Sequence, residues 1–111
     1  MEITINARHG RLPESLRNEA TRRLARFERI DRRLTVGTVV IDGSAHMHRV
    51  EARLLPAGGP PLISHAEGPT LRGAMNDALD RVERQLKRRR ERRVARRTRG
   101  TAASLTDGAI S

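Results

Sequence analysis

Four arginines near the end of the chain, Arg81, Arg84, Arg88 and Arg92, recur at helical spacing and share one side of the helix predicted there. A guanidinium stays charged at any working pH and offers a planar fork of donors that fits phosphate oxygens. A ridge of them is therefore equipment for holding a polyanion, not for making or breaking bonds. They belong to the run RVERQLKRRRERRVARRTR, residues 81–99, which sets eleven Lys or Arg against only Glu83 and Glu91. Its net charge of +9 supplies nearly all of the chain's +10, because residues 1–80 balance twelve basic against ten acidic side chains and residues 100–111 add only Asp107. A charge run is often no more than a solvated face. Here like charges meet at helical neighbour positions, where they repel, and two glutamates do not offset them. Charge segregated in this way implies a polyanionic partner.

Other chemistries find little support. The four histidines tempt a metal reading, with His46 and His48 on one strand face and His65 nearby if the hairpins register suitably. With no Cys and no helical His pair of zinc-protease spacing they read as surface polar groups, and no metal is expected. His9, beside Arg8, reads as an extension of the polyanion surface. There is no nucleophile elbow, no phosphate-cradling glycine loop and no paired carboxylates at a cleft, so neither an enzyme nor a cofactor is expected. Phe27 is the only aromatic and falls inside a helical pattern, which leaves no exposed ring to stack an unpaired base. Contacts to backbone and shape suit structured RNA. A general RNA- or DNA-binding module is the alternative, although no heptad seam is present to pair basic helices across a DNA groove. A membrane surface is disfavoured, since the basic helix lacks Trp and its apolar face stops at Leu86.

The elements that must position the arginines follow from periodicity. Glu2 to Ala7 alternates with Ile3, Ile5 and Ala7 on one face, as a half-buried strand does. After Pro13, Leu16, Ala20, Leu24 and Phe27 mark an amphipathic helix. Leu34 to Asp42 is rich in β-branched residues and closes on the turn signal Asp42, Gly43, Ser44; His48 to Leu55 answers it with Val50, Ala52 and Leu54 on one face. The segment PAGGPP, residues 56–61, reads as a loop, and residues 62–67 as a last short strand. Thr70 is placed to cap a final helix that buries Leu71, Met75, Ala78, Leu79, Val82 and Leu86. Past Leu86 the stripe meets Arg89, Arg90 and Arg93. The helix is therefore predicted to leave the sheet there, as a solvated basic rod or one ordered by a partner. The pattern gives one α+β domain over 1–99, a four-stranded sheet with two helices on one face in the order β-α-β-β-β-α, and a disordered tail over 100–111. No apolar run reaches the length of a membrane span or signal-peptide core, which suits a cytoplasmic protein.

Several stretches together resemble the ribosome hibernation-promoting factors, also called ribosome-associated inhibitors: ITINARHGRLPESL at 3–16, RRLARFER in the first helix, HRVEARL at 48–54 and AMNDALDRVERQLKRRRER at 74–92. The resemblance spans roughly residues 1–95, and the order and spacing of its short pieces carry it. It implies a fold similar to double-stranded RNA-binding domains. It also implies binding to small-subunit rRNA in the 70S ribosome, in competition with tRNA and messenger RNA, so that translation stops in idle ribosomes under stress. The family's basic positions fall here on Arg81, Arg84, Lys87, Arg88, Arg89 and Arg90, with Arg92 on the same ridge, and on Arg8 and His9; Arg22, Arg23 and Arg26 are implied as secondary contacts. Arg72 stands where the family commonly has Tyr, and Pro13 where a Thr cap is common. The family's long forms carry a further dimerisation domain for which this chain is too short, so a monomeric short form is expected.

Overall fold

Period-two alternation in four segments produces four strands, and their register explains why each apolar residue stands where it does. The computed structural model describes the backbone of all residues but His9 and Ser111, and the side chains of residues 1–8 and 10–98. The order is β1 (Glu2–Ala7), α1 (Glu14–Ile30), β2 (Leu34–Gly43), β3 (His48–Pro56), β4 (Leu62–Gly68) and α2 (Leu71–Ile110). The tail predicted over 100–111 lies outside the residues whose side chains are described. One sheet runs β1-β2-β3-β4, with β1 parallel to β2 and the remaining pairs antiparallel.

Register aligns the apolar residues into rows. Ile5, Val39, Ala52 and Ser64 form the central row, flanked by Ala7, Ile41, Val50 and Ala66 on one side and by Ile3, Gly37, Leu54 and Leu62 on the other. This face meets Leu16, Ala20, Leu24 and Phe27 of α1 and Ala74, Met75, Ala78, Leu79, Val82 and Leu86 of α2 in one buried cluster. The predicted α+β fold with both helices on one face is the observed one. Ser64, a polar residue in the core, donates its hydroxyl to the Ala78 carbonyl at 2.6 Å, so no hydroxyl is stranded there.

Local signals set the element ends. Thr70 Oγ1 accepts the Gly73 amide at 3.2 Å, as its place before α2 predicts. The β2–β3 turn closes through the Ser44 amide on the Met47 carbonyl at 2.9 Å. Gly43 has φ +110, and a Cβ there would strike the Met47 carbonyl, so only glycine fits.

The two helices run side by side in the same direction, because their contacts climb both sequences together: Glu19 to Arg72 at 3.1 Å, Asp80 to Arg23 at 2.7 Å, and Asp31 to Arg93 at 3.1 Å. Leu86, fully buried, is the last buried apolar residue of α2 among the described residues. Leu86→Ala is expected to lose about 2–5 kcal/mol in urea unfolding, whereas Val94→Ala, at a side chain 49% exposed, should change stability by no more than about 0.5 kcal/mol.

Candidate nucleic-acid interface

The apolar stripe of α2 stops at Leu86, yet its angular position does not go unused. Arg89 and Arg93 occupy it three and seven residues on. Arg89 Nη1 donates to the Pro60 carbonyl at 2.6 Å and Arg93 Nη1 to Asp31 Oδ2 at 3.1 Å. One and two turns earlier, Gln85 Nε2 donates to the Ile63 carbonyl at 2.9 Å and Arg81 to the His65 carbonyl. These carbonyls lie on β4, an edge strand, and on the loop before it. The prediction that α2 leaves the sheet after Leu86 is thus corrected. Contact continues to Arg93 because carbonyls and a carboxylate replace apolar surface as the thing gripped.

Asp31 is the far end of that grip. It is 3% exposed, and its Oδ1 accepts the Arg33 amide at 3.0 Å while Oδ2 receives Arg93. Its own amide caps α1 on the Phe27 carbonyl at 3.0 Å. Burial pushes the carboxyl's pKa up; the Arg33 amide, the Arg93 guanidinium and the charge of Arg33 together outweigh burial and hold it below its ordinary 3.8.

With α2 held against the β4 edge, its arginines line a groove and not an outward-facing ridge. Arg81, Arg84, Gln85 and Arg88 form one wall of a hollow of about 440 Å³ whose other wall is Ile63, Ser64 and His65. A larger cleft of about 700 Å³ follows, between Arg88, Arg89, Arg92, Arg93 and Arg96 on α2 and the loop from Pro56 to Pro60, with Arg33 entering from the α1–β2 turn. Arg88 lines both, so they join into one basic groove along the seam.

The remaining predicted contacts lie elsewhere. Lys87 pairs with Glu83 at 3.3 Å, and Arg90 is exposed without lining either hollow. Arg22 and Arg26 are exposed on α1. Arg23 is a strut: its side chain, 14% exposed, reaches Asp80 at 2.7 Å and Glu83 at 3.5 Å and lies 5.9 Å over the Phe27 ring. Arg8, 3.8 Å from Asp42, ends β1 at the opposite edge of the sheet from β4, so it does not join the groove. His9 lies outside the described residues. Register sets His48 opposite Gly68 and His65 opposite Glu51, with His46 in the turn. Among the described residues no three of His, Cys, Asp or Glu gather as a metal site would require, and no helix is long and apolar enough to cross a membrane.

Comparison with known proteins decides the family. The profile described as sigma 54 modulation protein / S30EA ribosomal protein matches residues 3–94. The chain belongs to this family. Among S30EA relatives, the ribosome hibernation promoting factor of Pseudomonas putida is 28% identical over 92 residues, covering 83% of this chain and 89% of that protein. The crystal structure of the N-terminal domain of Thermus thermophilus Protein Y superposes with TM-score 0.68 at 27% identity, over 79% of this chain and 98% of that one. A ribosomal subunit interface protein from Coxiella burnetii shares the fold, with TM-score 0.72 at 15% identity over 82% of this chain and 99% of that one. The resemblance read from the sequence is the family found.

Sequence reasoning assigned no site role to Arg33, Arg96, Gln85 or Asp31. The signal for Arg93 was its place on the buried stripe, but its partner is 62 residues away. Because Asp31 titrates lower in the folded chain than in the unfolded one, its stabilisation is complete above the ordinary carboxylate value and is lost as pH falls through the lowered folded value. Asp31→Asn should therefore cost about 1–3 kcal/mol at neutral pH, with the gap to the parent chain narrowing on acidification. Urea titrations across the acid range check this, and a gap independent of pH would refute it.

Proposed function

We propose that this chain binds the small ribosomal subunit through its rRNA, occupies the channel used by tRNA and messenger RNA, and keeps idle ribosomes silent as a monomer, without catalysis or a cofactor. The observation that carries the reading is the groove of guanidinium groups between α2 and the β4 edge, held in a fixed direction by the core stripe below it. A polyanion with a fixed shape is what such a groove suits, since the forks are placed before the partner arrives. The name of the Pseudomonas relative points the same way.

In this reading Arg81, Arg84, Arg88, Arg89 and Arg92 contact phosphates along the groove, with Lys87 and Arg90 beside it. Arg8, just past the end of β1, and Arg22 and Arg26 on α1 touch separate rRNA segments, and His9, next in the chain after Arg8, is assigned with Arg8. Arg23 contributes by holding α1 against α2.

Two measurements test it. Co-sedimentation with ribosomes should weaken by on the order of a thousandfold between about 50 and 200 mM salt if ~6 phosphates are contacted, and bound tRNA should exclude the chain. Affinity that is the same for empty and tRNA-filled ribosomes, or for ribosomes and any RNA or DNA duplex at one salt concentration, would instead favour a general nucleic-acid binder. Arg84→Glu with Arg88→Glu should abolish ribosome binding and leave the unfolding transition unchanged, because both side chains are exposed.

A further inference from the structure

The larger cleft has features that an RNA track does not need. At about 700 Å³ it falls within the range of small-ligand sites, roughly 300–1,000 Å³. It is built from three separate segments: α2, the turn after α1, and the loop between β3 and β4. Cations approach from two of these, while the third wall, Pro56 to Pro60 with Leu62, carries no charge. The loop is shaped for this closeness. Gly59 has φ +87, a backbone conformation that glycine adopts without strain, and it lies directly against the Arg89 guanidinium.

Charge in the cleft is divided between structure and surplus. Arg93 is matched by Asp31 and Arg89 is hydrogen-bonded to the Pro60 carbonyl. Arg33, Arg88, Arg92 and Arg96 are exposed and have no ion pair among the described residues. Six guanidinium groups around one concavity, offset by the single carboxylate of Asp31, repel one another until an anion of comparable charge enters. A single phosphate is too small a charge for four forks, whereas two or three phosphates joined in a chain can take bidentate contacts from both walls. The uncharged wall then faces whatever the phosphates carry.

We propose that this cleft binds a compact polyphosphate of nucleotide size, its phosphates held by Arg33, Arg88, Arg92 and Arg96 and its uncharged part lying against the Pro56 to Pro60 loop. Binding is a property of the free chain and does not depend on the ribosomal reading. Because Arg88 also lines the neighbouring hollow, an occupied cleft and an RNA backbone in the groove would compete for it.

Isothermal titration of the full chain at physiological salt tests the site with four probes: orthophosphate, tripolyphosphate, ATP, and a uridine hexanucleotide without terminal phosphates. Tripolyphosphate and ATP are expected to bind one per chain, at least roughly tenfold tighter than orthophosphate, with ATP no weaker than tripolyphosphate. Arg33→Ala with Arg96→Ala should weaken both by at least about tenfold. Arg11→Ala with Arg49→Ala removes the same charge away from the cleft and should change neither by more than about twofold. Equal losses in the two double variants, several polyphosphates bound per chain, or a hexanucleotide that binds tighter than tripolyphosphate and is weakened equally by Arg33→Ala with Arg96→Ala would overturn the proposal. All four substituted side chains are solvent-exposed, so unfolding does not confuse the result. The ribosome takes no part in this titration, so its outcome stands apart from that of co-sedimentation.

Discussion

A helix that concentrates cations as α2 does must be given negative partners or it repels itself apart, and the free edge of β4 supplies them. Carbonyls on an edge strand and its adjoining loop are themselves a liability, since unpaired backbone groups invite pairing with another chain. Arg81, Gln85 and Arg89 donate to His65, Ile63 and Pro60, and both problems lessen at once. At the other edge Arg17 Nη1 donates to the Ile5 carbonyl of β1 at 3.0 Å, which treats that strand in the same way. Each edge of the sheet is thus guarded by the helix nearest to it.

Asp31 extends the principle to the helix pair. The C-terminal end of α1, where partial negative charge accumulates, meets α2 at Arg93, part-way along that helix. Arg93 and the Arg33 amide meet a buried carboxylate at the end of α1, so the third rung of the α1–α2 ladder is also its most enclosed. The ladder has a partly buried cation as well, Arg23, between Asp80, Glu83 and the Phe27 ring. The Arg23 Nε is left without a partner, a small cost set against the two carboxylates that its other end reaches.

The fold was legible because its periodicities are local. Alternation in β1 to β4 and four-residue spacing in α1 and α2 each declare a face, and register then brings those faces together. The charge of α2 was equally plain. What could not be read is which arginines are committed to the fold, because that depends on partners distant in sequence: Arg23 on Asp80, Arg93 on Asp31, Arg89 on Pro60. Arginines on a stripe that has run out of apolar residues looked like the end of packing. In the folded chain they are its continuation by other means. Arg33 was given no role because it lies outside α2 altogether, and Arg96, one turn beyond Arg92, continues a ridge that the reading ended at Arg92.

Being committed to the fold does not remove an arginine from binding. A guanidinium has five N–H donors in a rigid fork, and a single bond to a carbonyl leaves most of them available. The bond fixes the plane in which the rest point. For Arg81 and Arg89 this means that part of the rotamer entropy ordinarily lost on meeting a phosphate has been lost already during folding. A row of loose arginines would accept phosphates in many arrangements with similar free energy. A row in which alternate members are pinned to β4 and its loop accepts best the arrangement that the sheet edge dictates, and selectivity for one shape of polyanion follows from the edge as much as from the charge.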